Sequence, residues 1–150
     1  MNAHTQRLSG VFAPVVTPFR DDTPDIEGLR SNLRKLSKTD LAGYLALGSN
    51  GEFMSLDDAE QHAVLEVFAA EKHTKTVMVG TARESTRHTI ENTKLAASMG
   101  FEYASVLTPH YFAKQMNDTL LAGYYEAVAD ASPIPVLLYN APGFAGGVQI

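Results

Sequence analysis

Apolar residues gather along the chain into five short, β-rich runs: Val11–Val16, Tyr44–Leu47, Thr76–Val79, Tyr103–Leu107 and Pro135–Tyr139. The runs recur about every thirty residues, and most are continuous rather than alternating, as in strands buried on both faces of a parallel sheet. Between them the apolar spacing switches to the helical period. Asp25–Leu36 sets Ile26, Leu29, Leu33 and Leu36 on one stripe, and Asn117–Ala131 does the same with Leu121, Tyr124, Tyr125 and Val128. Leu56–Ala70 opens on Ser55 and Asp58 as a capping box and buries Val64, Val67 and Phe68. Ser85–Met99 takes Ser85 as its cap and stops at Gly100, where a left-handed residue is favoured.

Strand and helix therefore alternate through a fifth strand, which predicts an α/β chain with parallel strands and right-handed crossovers. Two architectures fit that order. One is an open doubly wound sheet. The other is the first five units of an eight-unit barrel, which typically needs about 250 residues, whereas this chain has 150. After Tyr139 the run Asn140–Ile150 reads as a loop without a covering helix, so a piece of a longer barrel is the expectation.

Polar groups collect where each apolar run stops. They are Thr17, then Ser49 and Asn50, then Thr81, then Thr108-Pro109-His110-Tyr111, then Tyr139-Asn140. Ligands bind at the C-terminal strand ends of parallel α/β folds. Any one of these residues could simply bond local backbone, and Tyr139 could be a core aromatic. Five successive edges carrying them predict a polar pocket. The most informative is Gly48-Ser49-Asn50-Gly51-Glu52, where glycines let backbone amides approach an anion beside a hydroxyl and an amide. Glu52 is the one acid expected near a strand end, so paired-carboxylate chemistry is not expected.

Composition narrows the class further. Net charge is −5 and the 12 Lys and Arg are scattered, so no basic stripe exists and nucleic acid is not an expected partner. The chain has no Cys, which removes disulfides and thiolate chemistry and suits a reducing compartment. The five His residues lack ligand spacing and read as surface or helix-face positions, so no metal is expected. No apolar stretch has the length of a membrane span, and Met1–Gly10 lacks the apolar region of a secretory signal. A glycine-rich dinucleotide fingerprint and a Lys-bearing phosphate loop are also missing. No cofactor is expected. What remains is a phenol, hydroxyls, an amide and backbone donors, a set that can move protons on a carbonyl activated by another group.

Four segments resemble the dihydrodipicolinate synthase / N-acetylneuraminate lyase family: Gly10–Phe19, Gly48–Glu52, Thr108–Tyr111 and Leu138–Pro142. They occur in the family's order and at fitting intervals, from about Leu8 to the end. The resemblance implies a TIM (β/α)8 barrel, with residues 1–150 as the N-terminal part of one domain. It also implies Schiff-base chemistry between a lysine and pyruvate or another 2-oxo acid. Carried over residue by residue, Gly48, Ser49 and Asn50 hold the carboxylate, and Ser49 relays protons. Tyr139 becomes the strand-five proton donor and acceptor, and Tyr111 the tyrosine that reaches a neighbouring subunit's site. A homo-oligomer, tetramer or dimer, is thereby implied. The expected compartment is the cytoplasm, with the mitochondrion as an alternative.

Two departures shape the reading. The family's lysine falls somewhat under thirty residues beyond Tyr139, and none of Lys35, Lys38, Lys72, Lys75, Lys94 and Lys114 can replace it. These 150 residues alone are therefore expected to be inactive. Phe144 stands where the synthases commonly carry an Arg for the second substrate's carboxylate, which argues against aspartate semialdehyde. Ser-Asn in place of the synthases' Thr-Thr points to aldolases of 4-hydroxy-2-oxoglutarate or 2-keto-3-deoxy sugar acids. A synthase proper and a non-catalytic remnant are the rival expectations.

Overall fold

The computed structural model describes residues 7–150, and the readings of the N-terminal leader and of His4 rest on residues outside that range. Along the chain run β1 (Phe12–Pro14), β2 (Phe19–Arg20), β3 (Thr23–Pro24), α1 (Ile26–Leu36), β4 (Gly43–Ala46) and α2 (Asp58–Glu71). They are followed by β5 (Thr76–Gly80), α3 (Thr86–Ser98), β6 (Tyr103–Leu107), α4 (Asp118–Ala131) and β7 (Val136–Tyr139). Short 3-10 turns occupy Ser49–Gly51, Phe53–Ser55, Ala113–Gln115 and Pro142–Phe144. The described residues divide into two compact units, one running as far as Val79 and the other Gly80–Ile150.

In the first unit β4 lies between β1 and β5, and both pairings are parallel. A Cβ added to Gly43 would sit 2.0 Å from the Thr76 carbonyl oxygen and 2.5 Å from the Phe12 ring, so only glycine admits this three-strand approach. Leu29, Leu33, Val64, Val67 and Phe68 are buried, as the helical stripes require. The Tyr44 ring meets Phe68 edge-on at 6.3 Å. Helices α1 and α2 lie side by side and are joined through Glu71. Its carboxylate accepts from Arg30 at 2.9 Å and from both Arg34 nitrogens at 3.0 and 3.1 Å. Hydrogen bonds from Arg34, then Arg30, hold the Glu71 carboxyl below its ordinary range.

In the second unit β6 and β7 pair in parallel with Leu107 opposite Tyr139. All five β6 residues are buried, and α4 contributes Leu121, Tyr124, Tyr125 and Val128 to the same core. The Tyr125 hydroxyl donates to the Val106 carbonyl at 3.1 Å, and burial pushes its phenol well up.

Three local expectations need correction. The first apolar run yields a strand over Phe12–Pro14 only, shorter than Val11–Val16. Asp57, not Ser55, caps α2: it accepts from the Glu60 amide at 2.8 Å while Glu60 accepts from the Asp57 amide at 2.9 Å. Ser55 is spent in the preceding 3-10 turn. The β2–β3 hairpin was not foreseen. It turns on Asp21 and Asp22, both left-handed at φ 49° and 59°, without the glycine that usually marks such a turn.

Candidate functional site

The turn after β4 is built from an unusual backbone. Leu47 is left-handed at φ 53°, Gly48 is extended, Ser49–Gly51 form one 3-10 turn, and Glu52 is left-handed at φ 52°. The Gly51 amide donates to the Gly48 carbonyl at 2.9 Å and the Glu52 amide to Ser49 at 3.1 Å. The amides of Ser49 and Asn50 head the turn, where the first donors of a helical turn find no partner within it and favour an anion. Ser49 is half-buried, Asn50 exposed, and Gly48 and Gly51 buried.

One buried side chain clamps this turn and another holds the 3-10 turn that follows it. Thr17, at the end of the β1 segment and 6% exposed, donates its hydroxyl to the Gly51 carbonyl at 2.7 Å. A Cβ on Gly51 would stand 3.2 Å from the Val15 carbonyl oxygen, so glycine lets the two segments close up. Behind the turn, Gln61 of α2 donates both amide hydrogens, to the Phe53 and Leu56 carbonyls, each at 3.0 Å.

In the second unit the loop after β6 is organised by one carboxylate. Glu84 accepts from the His110 amide at 2.9 Å through one oxygen and at 3.2 Å through the other. It also accepts from the Tyr111 amide at 2.9 Å. His110 Nδ1 lies 3.2 Å from both Glu84 Oε1 and the Thr108 carbonyl oxygen; facing two acceptors, it carries the proton. Tyr111 is 78% exposed, its ring edge-on to Phe112 at 4.9 Å. The Thr108 hydroxyl is buried without a protein partner.

Tyr139 ends β7 half-buried, packed against the core of the second unit. Asn140 exchanges hydrogen bonds with Ile150, accepting its amide at 3.2 Å and donating to its carbonyl at 3.4 Å. Phe144 projects from its 3-10 turn, 63% exposed. A groove of about 320 Å³ runs between Ala113, Lys114, Leu121 and the segment Gly146–Gln149, and neither Tyr111 nor Tyr139 lines it.

The residues singled out thus fall into two groups. Gly48, Ser49 and Asn50 share one clamped turn of the first unit, and Tyr111 and Tyr139 belong to the second. Glu84 and Gln61 escaped the reading of the sequence. Glu52 is not the one acid near a strand end, since Glu84 stands four residues beyond β5 and serves the neighbouring loop. A hydrogen bond across 26 residues leaves no local signature.

Known proteins place these features in a family. The model of the dihydrodipicolinate synthetase family matches residues 7–149. The L-threo-3-deoxy-hexylosonate aldolase of Hypocrea jecorina is 38% identical over 94% of this chain and 47% of its own length. The probable mitochondrial 4-hydroxy-2-oxoglutarate aldolase of Emericella nidulans is 37% identical over 99% and 50%. The 4-hydroxy-tetrahydrodipicolinate synthase of Methanothrix thermoacetophila is 37% identical over 91% and 46%. Among solved structures, a prophage protein of the dihydrodipicolinic acid synthase family from E. coli K12, in complex with pyruvate, superposes with a TM-score of 0.85 at 32% identity, over 93% of this chain and 47% of that one. The chain spans about half the length of these relatives and carries about the first five βα units of a (β/α)8 barrel. It belongs to the dihydrodipicolinate synthetase family.

Proposed function

We propose that the whole protein is a class I aldolase that cleaves a 4-hydroxy-2-oxo acid to pyruvate and an aldehyde. The observation that carries this reading is the Gly48–Glu52 turn, whose leading amides, Ser49 hydroxyl and Asn50 amide suit the carboxylate of a 2-oxo acid. A lysine amine of the remaining barrel condenses with the substrate's C2 carbonyl, releasing water and forming an imine. The C3–C4 bond then breaks as the C4 hydroxyl gives its proton to Tyr139, whose phenol has already given its own proton to the water released on imine formation. The aldehyde departs and an enamine is left, which takes a proton at C3 and is hydrolysed to pyruvate and free lysine. With 4-hydroxy-2-oxoglutarate the aldehyde is glyoxylate. Proton transfer of this kind contributes about 10²–10⁴-fold, and the imine supplies the electron withdrawal.

Ser49 relays protons in this scheme, and the exposed Tyr111 serves a neighbouring copy's site, so the working form is a homo-oligomer. The two aldolase relatives favour cleavage of a hydroxy-oxo acid. The synthase relative keeps condensation with aspartate semialdehyde as the rival, which Phe144, lacking an Arg's bidentate charge, disfavours. Among the described residues no helix is long and apolar enough to cross a membrane. The cytoplasm is the proposed compartment, and the Emericella relative's name supports the mitochondrion instead.

The test is borohydride trapping with pyruvate in the protein extended to a complete barrel. A covalent pyruvate adduct, formed equally well after treatment with EDTA, is the expected result. Absence of an adduct, or activity lost on chelation and restored by a divalent metal, overturns the proposal.

A further inference from the structure

The geometry points to Glu84 as the residue that positions Tyr111 for the reaction, an inference that rests on the proposed role of Tyr111. Tyr111 is 78% exposed, its ring edge-on to the exposed Phe112. Its backbone, however, is gripped. One carboxylate takes the amides of both His110 and Tyr111, and the same carboxylate faces the His110 ring. Two successive amides held by one carboxylate fix the peptide plane between them, and hence the direction in which the Tyr111 side chain leaves the loop. Bonds to an ionised acceptor are about twice as strong as neutral ones, so the grip survives at a partly exposed site.

Glu84 itself is held by a deeper layer. The adjacent Arg83 amide donates to the Thr89 hydroxyl at 2.9 Å, and Thr89 lies 2.8 Å from the Tyr124 hydroxyl. The Tyr124 hydroxyl also bonds the Arg83 carbonyl at 3.2 Å. Thr89 is fully buried and Tyr124 is 6% exposed. The position of Tyr111 is thus passed from the α3–α4 core through residues 83–84 to an exposed stretch of the loop after β6. No ligand contact is needed for Glu84 to act; it works through Tyr111.

The test is a double-mutant cycle in the complete enzyme, with Glu84→Gln, Tyr111→Phe and the pair. Gln keeps the size of Glu and one carbonyl oxygen for the two amides, but it loses the charge and turns its NH₂ toward the His110 Nδ1–H, which weakens the grip. A displacement of about 1 Å can cost up to 10²-fold, so Glu84→Gln is expected to lower kcat by roughly 10-fold or more with KM little changed. It should also speed hydrogen exchange at the His110 and Tyr111 amides, and Glu84→Asp should restore part of the rate. In the pair, the loss should be no greater than in Tyr111→Phe alone, because a misplaced phenol and a missing one fail at the same step. Multiplicative losses, or normal turnover in Glu84→Gln when Tyr111→Phe is impaired, overturn the inference and leave the aldolase reading intact. Normal turnover in Tyr111→Phe instead overturns the role of Tyr111, and the positioning role of Glu84 with it.

Discussion

Replacing Thr17 by Val probes whether the clamp on the Gly48–Glu52 turn matters. The two side chains have nearly the same shape, so the change removes one hydroxyl and little else. That hydroxyl is 6% exposed and donates at 2.7 Å to the carbonyl of the buried Gly51. Losing the bond and leaving a desolvated carbonyl should cost about 1–3 kcal/mol. For a domain of about 150–250 residues each kcal/mol lowers Tm by roughly 2–4 °C, so a drop of about 4–8 °C is expected at the middle of that range. Function should suffer beyond this, because the freed carbonyl releases the turn that presents the Ser49 and Asn50 amides. In the complete barrel the rate of borohydride-trappable adduct formation with pyruvate should fall roughly 10-fold, as expected when binding groups move by a fraction of an ångström. Thr17→Ser is the control, since it keeps the donor and deletes a methyl. Its trapping rate should stay near normal even though its stability falls. A Thr17→Val protein with native Tm and native trapping rate would refute the reasoning, and so would a Ser variant as slow as the Val one.

Tyr139→Phe should leave folding almost unchanged while kcat falls by roughly 10²-fold or more, measured as turnover beside melting temperature; near-normal turnover removes Tyr139 from the chemistry. Glu71→Gln tests the α1–α2 cluster through pH. The folded Glu71 carboxyl lies below its ordinary 4.5, so the ion-pair stabilisation is present above that value and is lost as pH falls through the lowered one. Denaturant midpoints of native and Gln proteins should differ near pH 7 and converge as pH falls from 4.5 through the lowered value, and a gap that persists unchanged into strong acid contradicts this account.

The βα order was legible because burial on both faces gives continuous apolar runs, and helix stripes such as Leu121, Tyr124, Tyr125 and Val128 all turned inward. Ser85 and Gly100 were legible too, since capping and left-handed termination depend on the residue itself. What escaped depended on partners far along the chain or on an atypical residue. The hairpin hides because Asp21 and Asp22 take positive φ where glycine or asparagine is expected. Gln61 reads as an ordinary polar helix position until its two carbonyl partners come into place. Of the candidate site, the Gly48–Asn50 turn could be located from its motif. Its support by Thr17 could not, because a strand-end threonine usually bonds its own neighbourhood, and this one bonds across 34 residues.

Leu47 and Glu52 bracket the turn as two left-handed residues that carry side chains, a conformation costing an ordinary residue about 1–2 kcal/mol. Glycine could adopt the same angles freely, and it would also leave them freely. Leu47 is 3% exposed, so its burial in the core holds the strained angle in place. The shape of the proposed carboxylate site is therefore maintained by apolar packing beneath it, and the amide dipoles would need no reorganisation on binding. Affinity at the proposed site would thus be partly a property of the core: trimming a side chain packed under Leu47, with every polar group intact, would let the turn relax and make binding supply the ordering that packing now provides.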